Sequence, residues 1–225
     1  WGFYIINCVF FIGISYGGAM TSAILRLTNA KWRAPLTRLA EATAVAALLV
    51  GAVFPIVDLG RPDRFLYVLL YAQVGSPIVW DVVAIGTYLV ASLVFLYLPL
   101  IPDLGIARDA LGPRARLLGK VYGALALGWR GTPAQQRALQ RGIGIMAVLI
   151  IPLAISVHSV LAWLFAVTVR GGWHSTIFAP LFVLAAMFSG VAAVILVVAA
   201  LRKVYGLQVF ITATHFRYLS YLLVA

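Results

Sequence analysis

Cysteine is nearly missing from this sequence: Cys8 is the only one. That excludes a disulfide framework, a thiolate cluster for iron and sulfur, and a CxxCH site for covalently held haem. Any redox chain that this protein serves must continue in another subunit. Charge is scarce too, at 10% of residues, and only six of 225 residues are acidic. No basic leader with a small-residue cleavage site precedes the first apolar run, so that run reads as a span and not as a secretory signal. No internal repeat stands out.

What is abundant is apolar surface. The chain is 64% hydrophobic with a mean hydropathy of +1.04, where a soluble domain is about half apolar. The sequence therefore specifies an integral membrane protein, an all-α bundle of transmembrane helices. A formal charge of +11 raises nucleic acid as a partner, but the basic residues sit in short connections between apolar runs and form no stripe. Loop charge explains them, the lipid bilayer is the partner, and nucleic acid is not.

The apolar runs predict about six spans in a single domain over 1–225, at 1–27, 35–57, 78–100, 142–169, 177–201 and 207–225. Crossing the bilayer takes about 20 residues. Trp1 opens inside one run without a methionine and Ala225 stops inside another, so the sequence reads as a piece of a longer chain. Gly13, Gly17, Gly18 and Ala19 give the first span a small-residue face for close helix contact. Glu41 follows Arg38 by three residues near the start of the second span, where an ion pair and the helix dipole both favour a carboxylate. Pro99, Pro102 and Asp103 are expected to end the third span. Residues 66–75 are too few to cross and predict an interfacial or re-entrant helix, with Tyr67 and Tyr71 at headgroup level.

Connections after spans one, three and five carry 4, 7 and 2 Lys plus Arg, those after spans two and four 2 and 1. By the positive-inside rule the first group faces the cytoplasm. The DLGRPDRF turn at 58–65 and the RGGWHST turn at 170–176 therefore share the outer face.

Charge concentrates at one of these turns. FPIVDLGRPDRFLYVLLYAQVGSPIVWD, residues 54–81, holds three of the six acids. An ionisable group at membrane depth points to function with a partner. Asp81 opens span three, where the helix dipole and the low dielectric pull in opposite directions, which suits a group that takes a proton from a hydroxyl; the plainer reading is a capping acid. Asp58 closes span two at the end of the helix unfavourable to an anion, and needs a cation such as Arg61 or Arg64; an ion-paired structural turn explains it equally well. His158 lies near mid-membrane, somewhat toward the outer face, six residues after Pro152, which frees the Val148 carbonyl. It is a candidate for a quinol or proton site, or a histidine bonded to a neighbouring helix. His174 and His215 read as structural.

Taken together, WGFYIIN, AKWRAPLTRLAE, DLGRPDRF, SPIVWDVVAIGTY, SVHSVLAWLFA and GGWHSTIFAPLFVLAAMFSG resemble the NrfD or PsrC family of quinone-interacting membrane subunits, in particular the paired C-like and F-like NrfD proteins of alternative complex III. The motifs run from the first span to the fifth. The resemblance implies a bundle of eight to ten helices in a bacterial inner membrane, as part of a quinol-oxidising respiratory or photosynthetic electron-transfer complex. It implies menaquinone or another quinone as bound substrate near the outer face, with proton translocation as an extension. The implied partners are an iron-sulfur subunit and multihaem cytochrome subunits outside, and a paralogous NrfD-like subunit within the membrane.

Carried over by position, Asp81 in SPIVWD matches the family's quinol-site aspartate, and His158, Trp173 and His174 match the pattern, with Arg61 in the turn. Two positions depart from it. Asp58 stands where the family reads HLGRP, and Leu164 stands where it reads HSxxxWDFA. Both changes fit an F-like paralogue that serves proton transfer or assembly. Two further classes remain open: a b-type haem anchor through His158 and His215, and a secondary transporter with a mid-membrane site.

Overall fold

The computed structural model describes residues 2–111, 116–168, 171–172, 174–175 and 177–224. Every element among them is helical: α1 (Gly2–Leu27), α2 (Ala34–Asp58), α3 (Tyr67–Leu70), α4 (Pro77–Ala110), α5 (Arg116–Leu125), α6 (Pro133–Ala166), α7 (Phe178–Val204) and α8 (Ala213–Val224), with 3-10 turns at Pro62–Arg64 and Leu207–Val209. In hydrocarbon each backbone polar group needs a partner within its own segment, which helices provide. Five of these helices, α1, α2, α4, α6 and α7, are long and apolar enough to cross a membrane. The protein is a multi-pass membrane protein. In the sixth expected segment, the described residues hold a 3-10 turn and the 12-residue α8.

Helix α1 is the axis of the bundle. Its most apolar stretch is 72% buried, against 28 to 39% for the other four, and it packs on α2, α6 and α7. Small residues make this possible. A Cβ on Gly17 would collide with the backbone of Gly190, and one on Gly18 would stand 2.6 Å from the Ala40 carbonyl oxygen. The glycines therefore serve two interfaces, α7 on one side of α1 and α2 on the other, because backbones can meet only where side chains are missing.

The third span does not stop at its prolines. Helix α4 continues through Pro99 and Pro102 to Ala110. Each proline lacks an N–H and frees one carbonyl in the preceding turn, which membrane helices tolerate when packing holds them. Here α6 and α5 pack along α4, Asp103 pairs with Arg38 of α2, and Arg108 donates to the Trp129 carbonyl at 3.0 Å. The fourth span likewise begins nine residues before the expected Gly142, at Pro133. Thr132 and Gln135 form a reciprocal capping box at its start, with Pro133 in the first helical position, and the TPAQ string carries that signal. In the 66–75 stretch the helical piece is only Tyr67–Leu70; Tyr67 and Tyr71 are exposed, with rings edge to face at 5.5 Å.

Glu41 is paired, but not with Arg38. Its carboxylate is buried against α1 and accepts from Arg26 and Ser22, while Arg38 turns to Asp103. Arg38 sits three residues earlier on α2 but faces α4, so sequence spacing pointed to the wrong cation.

Candidate functional site

Helix topology brings the start of α1, the end of α2, the start of α4 and the end of α6 to one end of the bundle. This is the end that the loop charges counted above lead one to expect on the outer face. Asp58 is the last residue of α2, followed by Leu59 and by Gly60 at φ 66°, a left-handed turn that glycine adopts without strain. The 3-10 turn Pro62–Arg64 then reverses the chain. At the far side Ser76 is extended and Pro77 opens α4. The Trp80 indole donates to the Val74 carbonyl at 2.6 Å and ties this reversal to the new helix.

These elements enclose a cavity of about 280 Å³. Tyr4, Ile5, Cys8 and Val9 of α1 form one wall, Phe54, Pro55 and Asp58 of α2 a second, and Ile78, Asp81 and Val82 of α4 a third; Leu161, Leu164 and Phe165 of α6 form the fourth. Leu59, Phe65 and Val68 of the α2–α4 connection complete the lining. Phe54 is held by rings on α1, stacked on Phe11 at 6.0 Å and tilted against Tyr4 at 6.4 Å. The walls are apolar, and the two carboxylates are the only charged groups on them among the described residues.

The structure thus brings Asp58 and Asp81 together on one cavity. Asp81 is the fifth residue of α4 and lies past the first turn, not within it, so it does not cap the helix amino terminus. Its Oδ1 is buried and has no hydrogen-bond partner among the described residues. A buried oxygen of that kind calls for a ligand or water. Asp58 has no ion pair among the described residues either, and Arg61, Asp63 and Arg64 are exposed. The ion-paired turn, one of the two readings open for DLGRPDR, is not formed among these residues.

The other candidates lie elsewhere. His158 is 1% exposed inside the bundle and does not line the cavity. Its Nδ1 lies 3.0 Å from the Ala154 carbonyl oxygen one turn earlier, its ring rests 4.5 Å from that of Tyr16, and its Nε2 is buried without a partner among the described residues. Arg61 is on the exposed turn above the cavity, outside its lining. His174 is exposed in the α6–α7 connection and does not line it either. Trp173 lies outside the described residues. His215 accepts from the Thr212 N–H at 3.1 Å and packs edge-on to Trp32 in the α1–α2 connection. It and His158 belong to different ring clusters, so no facing pair for a b-type haem is assembled from them.

Leu164 and Asp58, the two positions that depart from the family pattern, both line the cavity. Tyr4, Cys8 and Phe65 line it without having been named as site residues from sequence. The one signal for the first two was their spacing, four residues apart on the face of α1 that carries Ile5.

Comparison with known proteins identifies the family. The chain matches the family described as "Polysulphide reductase, NrfD" over residues 1–224. It is 30% identical to the membrane-embedded C component of a candidate dimethyl sulfoxide reductase from Halobacterium salinarum, over 88% of this chain and 42% of that protein. It is 28% identical to the C component of selenate reductase from Mesobacillus selenatarsenatis, over 85% of this chain and 46% of that protein. The chain spans less than half the length of both curated relatives.

Proposed function

We propose that this chain, which belongs to the NrfD polysulphide reductase family, contributes the quinol site of a multi-subunit membrane oxidoreductase, with the cavity between Asp58 and Asp81 as that site. The observation that carries the reading is the buried, unpartnered Oδ1 of Asp81 on a mainly apolar cavity at the outer end. A quinol head is a flat apolar ring with two hydroxyls. It fits apolar walls with few, well-placed polar groups.

Oxidation of the quinol releases two protons and two electrons and leaves the quinone. Asp81 accepts a hydrogen bond from one hydroxyl and then its proton, and Asp58, half-buried at the end of α2, takes the second and passes it toward the outer water. General base catalysis of this kind requires a carboxylate within hydrogen-bond reach of the hydroxyl. The apolar walls keep bulk water from the ring. The single cysteine, Cys8, offers no cluster site, so the electrons leave through a partner, an iron-sulfur subunit docked over the DLGRPDRF turn. Arg61, Asp63 and Arg64, exposed and without ion pairs among the described residues, supply charges for that contact.

The relatives' names, both those of reductase components, favour a complex in which electrons drawn from quinol reach a reductase subunit outside. An alternative complex III-type assembly, with multihaem cytochromes as acceptors and a paralogous membrane subunit beside this one, is a narrower version of the same proposal. Haem absorbance in the purified complex separates the two. A second reading rests on Leu164: with an apolar residue in the cavity where the quinol-oxidising pattern has an aspartate, the chain serves proton transfer or assembly and oxidises no quinol.

The test is Asp81→Asn in the assembled complex. Loss of a positioned base lowers quinol turnover by about 10²-fold or more and weakens quinone-site inhibitors. Unchanged turnover together with unchanged inhibitor affinity overturns the quinol reading for this cavity.

A further inference from the structure

The cavity is too small for a whole prenyl quinol. Its volume of about 280 Å³ falls just below the roughly 300–1,000 Å³ that small-molecule sites span, so it takes a ring and not a long isoprenoid chain. That chain must leave through apolar protein surface and reach lipid. A second hollow, an apolar groove of about 550 Å³, runs between α1 and α7. Ile5, Val9 and Phe165 line both the cavity and this groove. On α1 the groove extends from Ile5 to Gly13, about 12 Å at 1.5 Å per residue, from the outer end toward the middle of the bilayer. Glycine at position 13 leaves it open at that end, where a Cβ would come within 3.8 Å of the Ala186 side chain.

Resting on the quinol reading above, the geometry points to the groove between α1 and α7 as the seat of the substrate's isoprenoid tail, which enters past Phe165 and lies against Val9, Phe182 and Ala185. The continuity of its lining with the carboxylate cavity argues for this occupant, as does its course toward mid-membrane, where the end of a long tail passes into lipid. The site is therefore selective for long-tailed quinols. A short-tailed analogue fills the cavity alone.

Two measurements on the intact complex test this. The first compares long-tailed and short-tailed quinols in Ala185→Trp, a substitution at an exposed groove position away from Asp58 and Asp81. The KM for the long-tailed quinol is expected to rise about tenfold, the effect of a poorly fitting apolar group, with the short-tailed KM unchanged. The second uses a quinone with a photoreactive group on its tail and maps the labelled peptides in the unsubstituted protein, so that it does not depend on the variant's folding. Label is expected on residues 5–13 and 178–189 and is displaced by excess unlabelled quinone. Label on α2, α4 or another subunit overturns the tail assignment, as does an equal effect of Ala185→Trp on both quinols. If Ala185→Trp disrupts assembly and the groove takes no label, the groove is a packing face for protein helices and the assignment also falls. All of these leave the head site intact if short-tailed quinol is still oxidised in an Asp81-dependent way. Failure of both quinols to be oxidised by the unsubstituted complex overturns the quinol reading itself.

Discussion

Arg26 of α1 donates from Nε and Nη2 to a single oxygen of Glu41 on α2, at 3.1 and 2.8 Å. Ser22 donates to the same oxygen, and the other, Oε2, is buried without a partner among the described residues. The guanidinium also lies over the Phe95 ring of α4, 5.6 Å from its centre. One pair thus locks three helices at the end of the bundle away from the cavity.

Arg26→Ala is therefore expected to destabilise the protein by about 3 kcal/mol or more, because it strands a buried carboxylate. Arg26→Met combined with Glu41→Leu removes both charges and is expected to recover much of that loss. Thermal unfolding in detergent reads both. A double variant no more stable than Arg26→Ala would show that the pair does more than neutralise itself.

Gly17→Ala or Gly190→Ala forces apart two backbones that leave no room for a methyl, since each new Cβ would overlap the facing chain. Overpacking of this kind costs roughly 1–3 kcal/mol. Gly86→Ala on α4, where nothing lies within 4 Å of the new Cβ, is the control and is expected to leave the unfolding temperature level or slightly higher. Equal behaviour of the three variants would mean that the α1–α7 crossing has room to spare.

His158→Gln should affect quinol oxidation far less than Asp81→Asn. The histidine is packed behind the cavity on Tyr16 and does not line it. We expect less than a tenfold fall in kcat, with unchanged inhibitor affinity, beside the loss of about 10²-fold for Asp81→Asn. Parallel titrations of turnover and inhibitor on the two variants decide it. Matching losses would put the imidazole in contact with the substrate.

Leu164→Asp adds a carboxylate to the cavity that holds Asp58 and Asp81. Introduced into the Asp81→Asn background, it is expected to restore at least tenfold of the lost turnover, since a base on the α6 wall can take the same proton. No recovery would indicate that the position of Asp81 on α4 matters and not merely the presence of a proton acceptor.

Much of the organisation was legible residue by residue. The runs around Gly17, Ala47, Ala91, Ile150 and Val194 are long enough to be read as spans without any knowledge of packing. The cation bias of the connections put Asp58 and Asp81 at the same end, and the cavity unites them. The ends of helices were harder. Pro99 and Pro102 read as stops because the sequence does not reveal that α6 and Trp129 support α4 beyond them. Thr132 and Gln135 carried a start signal that a count of apolar residues passes over. His158, Arg61 and Asp81 were all candidates for one quinol site, yet of the three only Asp81 lines the cavity.

Hydropathy and loop charge are properties of the chain as a line, and from them the sequence by itself determined an all-helical membrane bundle and set Asp58 and Asp81 at one end of it. Tertiary structure decided which side of each helix looks inward: Cys8 and Tyr4 onto the cavity, His158 onto Tyr16, Glu41 onto Arg26. The reason is physical. Lipid tails are as apolar as leucine, so a membrane helix is hydrophobic on the face it shows to lipid and on the face it shows to protein, and only contact between helices tells the two apart.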